Sequence, residues 1–162
     1  MVGLRTMKRR RRENRTDYKA RRILLESGIP RIVVRRTNKY YILQAVESVE
    51  AQDKVIATVT SKELLKNGWD VKAGGSLKSI SAGYLTGMLM AKKLKKGKFI
   101  VDLGMARTFK GSRGFAVVKG LIDGGLDVPA NESVFPSEDR LNGEHLKDDV
   151  KAAIIKVRRQ LG

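Results

Sequence analysis

Residues Arg31–Thr60, RIVVRRTNKYYILQAVESVEAQDKVIATVT, decide the fold. Arg31 to Arg36 reads Arg-Ile-Val-Val-Arg-Arg, a short β-branched run, and hence a strand. Thr37-Asn38 reads as a tight turn, and Lys39 to Val46 as the partner strand of a hairpin. Gln52-Asp53 marks a second turn, and Val55 to Thr60 (Val-Ile-Ala-Thr-Val-Thr) a third strand. Three consecutive strands with short links make an antiparallel meander.

Downstream the period changes. Leu77, Ile80, Tyr84, Met88 and Ala91 recur at i, i+3 and i+4 steps, one helical stripe. Gly83 and Gly87 sit four apart on a neighbouring face, where each would cost an isolated helix about 1 kcal/mol relative to Ala. Close approach to a sheet would compensate. Five lysines between Lys92 and Lys98 complement the dipole at the helix exit. Phe99 to Leu103 is a short apolar run, read as a buried strand. A second helix is expected from Ser112 to Asp123, with the stripe Phe115, Val118, Ile122 and Leu126, stopped by Gly124-Gly125 and Pro129. The order of three strands, helix, strand, helix predicts an α/β fold: a mixed sheet, the meander plus a later strand, packed with helices. Leu126 to Gly143 reads as loop. Glu144 to Leu161 reads as an amphipathic C-terminal helix, with Leu146, Val150, Ala153, Ile154, Val157 and Leu161 on one face. In the core of such a fold, Trp69 after Asn67-Gly68 is a packing anchor.

Upstream lies a basic N-terminal arm. Among the first twenty-two residues, Arg5, Lys8, Arg9, Arg10, Arg11, Arg12, Arg15, Lys19, Arg21 and Arg22 face only Glu13 and Asp17, a net +8 of the chain's +17. Such a run repels itself and has too little apolar surface to offset ordering, so it is expected to be disordered alone. A polyanion changes this, because each docked Lys or Arg releases condensed counterions. Within the arm's end, Tyr18 to Glu26 can form a short helix closed by Ser27-Gly28 and Pro30. The expected organisation is therefore an arm over 1–22, an α/β core over 23–130, and a loop with the C-terminal helix over 131–162.

Composition narrows the function classes. A 162-residue chain that is 41% hydrophobic can bury a real core. Its isoelectric point near 10.4 points to nucleic acid, or less strongly to an anionic membrane surface. The absence of cysteine removes disulfides, thiolate catalysis and cysteine-based zinc sites together. No apolar run approaches the length of a membrane span, and no apolar stretch follows the basic N-terminus as in a secretory signal. A transit peptide shares the arginine richness, but residues 5–15 lack a serine-rich stretch and an apolar helical face.

Several groups of residues could carry chemistry. In Ala106-Arg-Thr-Phe-Lys-Gly-Ser-Arg113, Ser112 is a natural N-cap, and the N–H groups behind it make an anion site. Arg107, Lys110 and Arg113 surround it, and Gly111 lets backbone approach a ligand. A phosphate fits, and so does a capped helix with solvated flanking charges; in the second case losing the Ser112 cap would cost about 1 kcal/mol. The segment is not a nucleotide-triphosphate loop, since the leading glycine and spacer are missing. Asp102-Leu-Gly104 superficially matches a kinase metal motif without the accompanying loops; Asp102 reads better as a strand-end residue receiving a hydrogen bond. Glu138, Asp139, Glu144 and His145 could hold a divalent metal for phosphodiester hydrolysis. Against this, Ser137-Glu-Asp reads as a cap with first-turn acids, and Arg140 can pair with either carboxylate. The expectation is structural, with no metal and no cofactor. Arg35, Arg36 and Lys39 beside Tyr40 and Tyr41 can hold a backbone and stack a base, or the tyrosines can bury their rings while the charges stay wet.

Five segments carry a resemblance. Tyr18-Lys-Ala-Arg-Arg-Ile-Leu-Leu25, Pro30-Arg-Ile-Val-Val-Arg-Arg-Thr-Asn-Lys39, Ala82-Gly-Tyr-Leu-Thr-Gly87, Lys110-Gly-Ser-Arg113 and Phe135-Pro-Ser-Glu-Asp-Arg140 occur in that order, joined by Lys119-Gly-Leu-Ile-Asp-Gly-Gly-Leu-Asp-Val-Pro129. From about Arg9 to His145 the chain resembles the archaeal and eukaryotic-type large-subunit ribosomal protein 18 family. The resemblance implies a non-enzymatic role, binding 5S ribosomal RNA and anchoring it to large-subunit ribosomal RNA in the central protuberance, beside neighbouring ribosomal proteins. It also implies a ribonuclease H-like layer shared with other translation components but lacking that active site. It adds weight to Lys8, Arg9, Arg10, Arg11, Arg12, Arg15, Lys19, Arg21, Arg22, Arg35, Arg36, Lys110, Ser112 and Arg113 as RNA contacts. Two departures from the family pattern are the short link Lys96-Gly-Lys-Phe99 and Gly114 where a larger residue is common. An RNA-processing nuclease on the same layer would need inward carboxylates at strand ends, where the strands offer only Asp102. A free RNA chaperone or DNA-compacting protein would bind duplexes with little selectivity.

Overall fold

The computed structural model describes residues 6–50, 52–69 and 76–161. Arg5 of the basic arm lies outside the described residues. The chain runs α1 (Arg9–Arg12), α2 (Tyr18–Glu26), β1 (Arg31–Arg36), β2 (Tyr41–Val49), β3 (Gln52–Thr60), a 3-10 helix (Ser61–Asn67), α3 (Ile80–Leu94), β4 (Ile100–Asp102), α4 (Arg113–Asp123), a 3-10 turn (Glu132–Val134), α5 (Glu138–Asn142) and α6 (Asp148–Leu161). The sheet order is β3-β2-β1-β4: β1, β2 and β3 are antiparallel neighbours and β4 joins β1 in parallel. The fold is therefore mixed α/β, the expected meander plus a later strand.

Two turns fall elsewhere than the sequence predicts. Arg36 pairs with Tyr41, so the first link spans residues 37–40. The Thr37 hydroxyl accepts from the N–H groups of Lys39 and Tyr40 and donates to the Tyr40 carbonyl, which holds these residues out of the strand. The second reversal lies between Val49 and Gln52, not at Gln52-Asp53. Asp53 stays in β3 because it is held there. Its carboxylate accepts from Ser48, at 2.7 Å, and faces Arg31 at 2.7 Å and Arg21 at 3.1 Å, tying β1, β2, β3 and α2 together.

Burial pushes the Asp53 carboxyl up, but hydrogen bonds from Ser48, Arg31 and Arg21 and the Arg31 charge outweigh it and hold the group below the usual carboxylate range. The stability this contributes is fully present above the unfolded value, about 3.9, and is lost as pH falls through the depressed folded value. The urea midpoint of the native chain is expected to drop over that acid window, and Asp53→Asn to flatten the drop. An unchanged pH dependence in the variant would contradict the network.

The core has two parts. One lies between sheet and helices: Ile32, Val34, Leu43, Ala45 and Val59 meet Met90, Val117, Val118 and Leu121. The other lies behind α3, where Leu64, Trp69, Leu85 and Met88 meet Leu141, Ile154, Val157 and Leu161. Trp69 is thus a core residue, and α6 closes the second cluster. Because α3 runs between both, it is buried nearly all round rather than along one stripe. It begins at Ile80, with the Ser79 side chain accepting from Ala82 N–H, so Leu77 precedes it.

The glycines of α3 meet the expectation only in part. A Cβ on Gly87 would overlap the Val117 carbonyl of α4, and one on Gly120 would overlap the Tyr84 carbonyl of α3. At Gly87 the close approach is therefore helix to helix, while at Gly83 a Cβ would stand 3.2 Å from both the Tyr41 ring of β2 and the Val117 side chain of α4. The helix approach also widens the buried face of α4, adding Ala116, Val117, Gly120 and Leu121, while Phe115 and Ile122 are only partly buried.

Three further boundaries shift. β4 is the central three residues of the expected run and is half-buried; the neighbouring Phe99 N–H goes to the Asp127 carbonyl instead. The expected loop contains α5, and α6 starts only at Asp148, after a turn over residues 143–145 and irregular chain at 146 and 147. Lys92 at the end of α3 donates to the Gln160 carbonyl, fixing the C-terminal end of α6.

Candidate nucleic-acid interface

In parallel α/β layers, ligands bind outside the carboxyl ends of the strands. β1 and β4 are the parallel pair here, and a cleft of about 820 Å³ opens beyond their ends, between residues 103–114 and 135–140. Its described lining includes five cations, Arg36, Arg107, Lys110, Arg113 and Arg140, and no acidic residue. The cations come from four segments: the end of β1, the β4–α4 loop, the start of α4, and α5. Like charges converge because the fold brings those ends together, and their mutual repulsion favours an anionic ligand.

At the base of the cleft α4 begins. Ala116 N–H donates to the Ser112 carbonyl, so the N–H groups of residues 113–115 are its first-turn donors. Ser112 occupies the cap position with extended backbone angles, yet its side chain accepts no cap hydrogen bond. Its hydroxyl is buried without a partner, in a residue only 4% exposed. The expectation of a side-chain cap is corrected: the helix end is left open, and beside it sits an unsatisfied hydroxyl. Gly111 has φ of 72° and open space where a Cβ would stand, so the turn requires glycine for its backbone angle. Its N–H is used on the Val134 carbonyl, which fixes the loop rather than serving a ligand.

A buried hydroxyl without a partner carries a desolvation cost that alanine removes. Ser112→Ala is therefore expected to leave the melting temperature unchanged or slightly higher, not to cost the ~1 kcal/mol of a lost cap. A fall of several degrees in a thermal melt would contradict this.

The approach loop is braced from β1. Arg35 donates to the Asp102 carboxylate at 2.9 Å and to the carbonyls of Val34 and Asp102, while Asp102 also accepts from Gly104 N–H at 2.7 Å. A Cβ on Gly104, whose φ is 60°, would stand 2.9 Å from that guanidinium. Asp102 is thus the strand-end acceptor expected from its position, and Arg35 spends much of its hydrogen-bonding capacity within the chain. Tyr41 is buried, with its hydroxyl donated to the carbonyls of Lys78 and Ser79 at 3.1 Å. Burial pushes that hydroxyl up to about 12, although Arg113 and Arg36 at the cleft pull the other way. Of the two readings of the tyrosines, ring burial holds for Tyr41; Tyr40 is half-buried and carries Lys62 4.4 Å from its ring centroid. Lys39 is exposed beside it.

The arm's described cations lie apart from the cleft residues in sequence, and most of their contacts are local, Arg21 reaching across to β3. Arg9–Arg12 form one helical turn with no buried residue. Arg9 and Arg15 both approach Glu13, Arg10 donates to Thr16, and Lys8 sits over the Tyr18 ring. Asp17 caps α2 by accepting from Lys19 and Ala20 N–H. Arg22 pairs with Glu26 and Arg21 with Asp53, while Lys19 is exposed.

Sequence reasoning missed three contributors. Arg140 was assigned to neighbouring acids, but Arg158 of α6 takes Glu138 at 3.7 Å and Asn142 at 2.5 Å, and Arg140 lines the cleft. Met105 and Phe109 were unremarked and are exposed at its rim. The signal for Phe109 was present, an aromatic among Arg107, Lys110 and Arg113. His145 is exposed, and among the described residues no group of three or more His, Asp or Glu is placed to hold a metal. No described helix is long and apolar enough to cross a membrane.

A mixed α/β layer with a cleft whose described charged residues are all cationic, an open helix end and a basic arm has the build of a polyanion-binding protein. Comparison with known proteins gives the family. Residues 4–99 match the family model described as ribosomal large subunit proteins 60S L5 and 50S L18. The chain is 47% identical over 141 residues to large ribosomal subunit protein uL18 of Methanoregula boonei, covering 85% of this chain and 79% of that protein. It is 48% identical to uL18 of Korarchaeum cryptofilum over 85% of this chain and 70% of that one. For uL18 of Caldivirga maquilingensis the figures are 49%, 85% and 67%. The chain belongs to this family of structural large-subunit ribosomal proteins, and so is a component of the ribosome in the cytoplasm.

Proposed function

We propose that this protein binds 5S ribosomal RNA and helps anchor it to the large-subunit ribosomal RNA in the central protuberance, without catalysing a reaction. The observation that carries the reading is the cleft: five converging cations around an uncapped helix end and a buried, unpartnered hydroxyl. Helix N–H donors and the macrodipole favour phosphate there, and arginine adds bidentate geometry. The resemblance across five ordered segments selects 5S RNA among polyanions. Lys8, Arg9, Arg10, Arg11, Arg12, Arg15, Lys19, Arg21 and Arg22 supply a second, sequence-independent grip. The last three present theirs from α2, already capped by Asp17 and tied to the sheet by the Arg21–Asp53 pair, while the stretch before α2 orders on RNA. Arg36 and Lys39 extend the surface along the hairpin. Arg35 acts through the loop it braces. Neighbouring large-subunit proteins complete the partners.

The non-catalytic reading is supported by the strands. The order β3-β2-β1-β4 with β1 parallel to β4 suits a ribonuclease H-like layer, but the carboxylate at the strand end, Asp102, is tied to Arg35.

The test is affinity for 5S RNA at one fixed salt concentration. Arg113→Lys keeps the charge but loses the paired N–H groups, and is expected to weaken binding several-fold. Ser112→Ala should also weaken it while sparing stability. Gly111→Val should hurt most, because valine is strained at that backbone angle and stands at the cleft mouth. Wild-type affinity in both Arg113→Lys and Gly111→Val would mean that this helix end does not touch RNA.

A further inference from the structure

We propose that the cleft takes a whole unstacked nucleotide of the RNA, its phosphate at the start of α4 and its base against the ring of Phe109. This rests on the RNA-binding reading above and adds what part of the RNA enters. Phe109 is 63% exposed and Met105 52%, both on the loop that forms the rim. A phosphate alone needs the cations and the helix end; it gives no use for an exposed ring between Arg107 and Lys110. The walls behind the rim are apolar as well, with Leu103 and Phe135 among them. At about 820 Å³ the cleft lies within the roughly 300–1,000 Å³ typical of small-molecule pockets. That is room for a base and sugar as well as their phosphate. The backbone of a stacked duplex presents only phosphates and sugars to such a concave surface, whereas a loop or bulge presents splayed bases that stack on aromatic side chains. The Ser112 hydroxyl, buried and unpartnered beside the open N–H groups, fixes the phosphate end. Phe109, four residues before Arg113, then sets the base end.

The account separates two kinds of residue in one experiment, using the full chain and 5S RNA over a salt series. Phe109→Ala is expected to weaken binding about tenfold or more with an unchanged log–log salt slope, because stacking releases no counterions. Phe109→Tyr should keep wild-type affinity, and Phe109→Leu, apolar but without a π-face, should fall with the alanine variant. Lys110→Gln should weaken binding and flatten the slope by about 0.7–0.9. The exposure of Phe109 keeps these variants folded, which circular dichroism checks. Wild-type affinity in Phe109→Ala or Phe109→Leu, with Lys110→Gln weakened, would overturn the nucleotide pocket and leave the phosphate site standing. Wild-type behaviour in all of them would remove the cleft from RNA binding and both readings with it.

Discussion

Gly120→Ala should destabilise the protein by about 3 kcal/mol, the upper part of the range for overpacked cores. The reason is local. A single methyl at this position would overlap the Tyr84 carbonyl and stand 3.2 Å from Met88 N, backbone atoms of a helix that is itself buried nearly all round. Neither helix can step back, since α3 lies between the sheet cluster and the α6 cluster. Gly114→Ala, six residues earlier on the same helix, is the comparison. There a methyl meets only the Leu103 side chain, at 3.3 Å, and alanine's better helix propensity, worth about 1 kcal/mol, offsets the crowding. Urea unfolding of both variants decides: equal stabilities would contradict the close helix crossing on which the position of α4, and so of the cleft, depends.

Removing residues 1–16 should leave the fold intact and sharply reduce RNA affinity. The segment holds seven basic residues, Arg5, Lys8, Arg9, Arg10, Arg11, Arg12 and Arg15, and its described part buries nothing in the core. If about six of them meet phosphates, the log–log salt slope falls by roughly four to five units, and the affinity lost is greatest at low salt. Thermal unfolding of the shortened chain should match the intact one. Proteolysis adds an independent view: residues 6–16, ahead of the capped helix α2, are expected to be cut readily in the free protein and protected by RNA. By contrast α2, expected from the charge run alone to be disordered, is held by the Asp17 cap and the Arg21–Asp53 pair. An unchanged slope would assign the arm to a protein neighbour instead.

The parts of the fold legible in sequence were those set by neighbours along the chain. A β-branched run marked Arg31–Arg36, and Ser27-Gly28 with Pro30 marked the close of α2. What slipped was set by side chains reaching across. Thr37 and Asp53 look like turn residues, but one lengthens its loop through its hydroxyl and the other is captured in a strand by Ser48, Arg21 and Arg31. The single stripe read on α3 was too narrow because its other faces are buried by elements distant in sequence. The candidate site divided in the same way. Arg107, Lys110 and Arg113 share one segment and were legible together. Arg36 and Arg140 join them only after β1 and α5 are in place. Ser112 was singled out for the right place and the wrong role: the sequence pattern of a cap cannot show whether the hydroxyl turns to its own helix.

The central claim is that a charged arm gives grip and the cleft gives choice. It is tested most directly by binding of the isolated full-length protein to 5S ribosomal RNA in the presence of excess unrelated folded RNA of equal length. The account predicts that 5S binding survives the competitor, and that the chain lacking residues 1–16 binds more weakly but keeps the preference. Equal competition by the unrelated RNA would contradict it, leaving a basic protein that holds any RNA by charge alone.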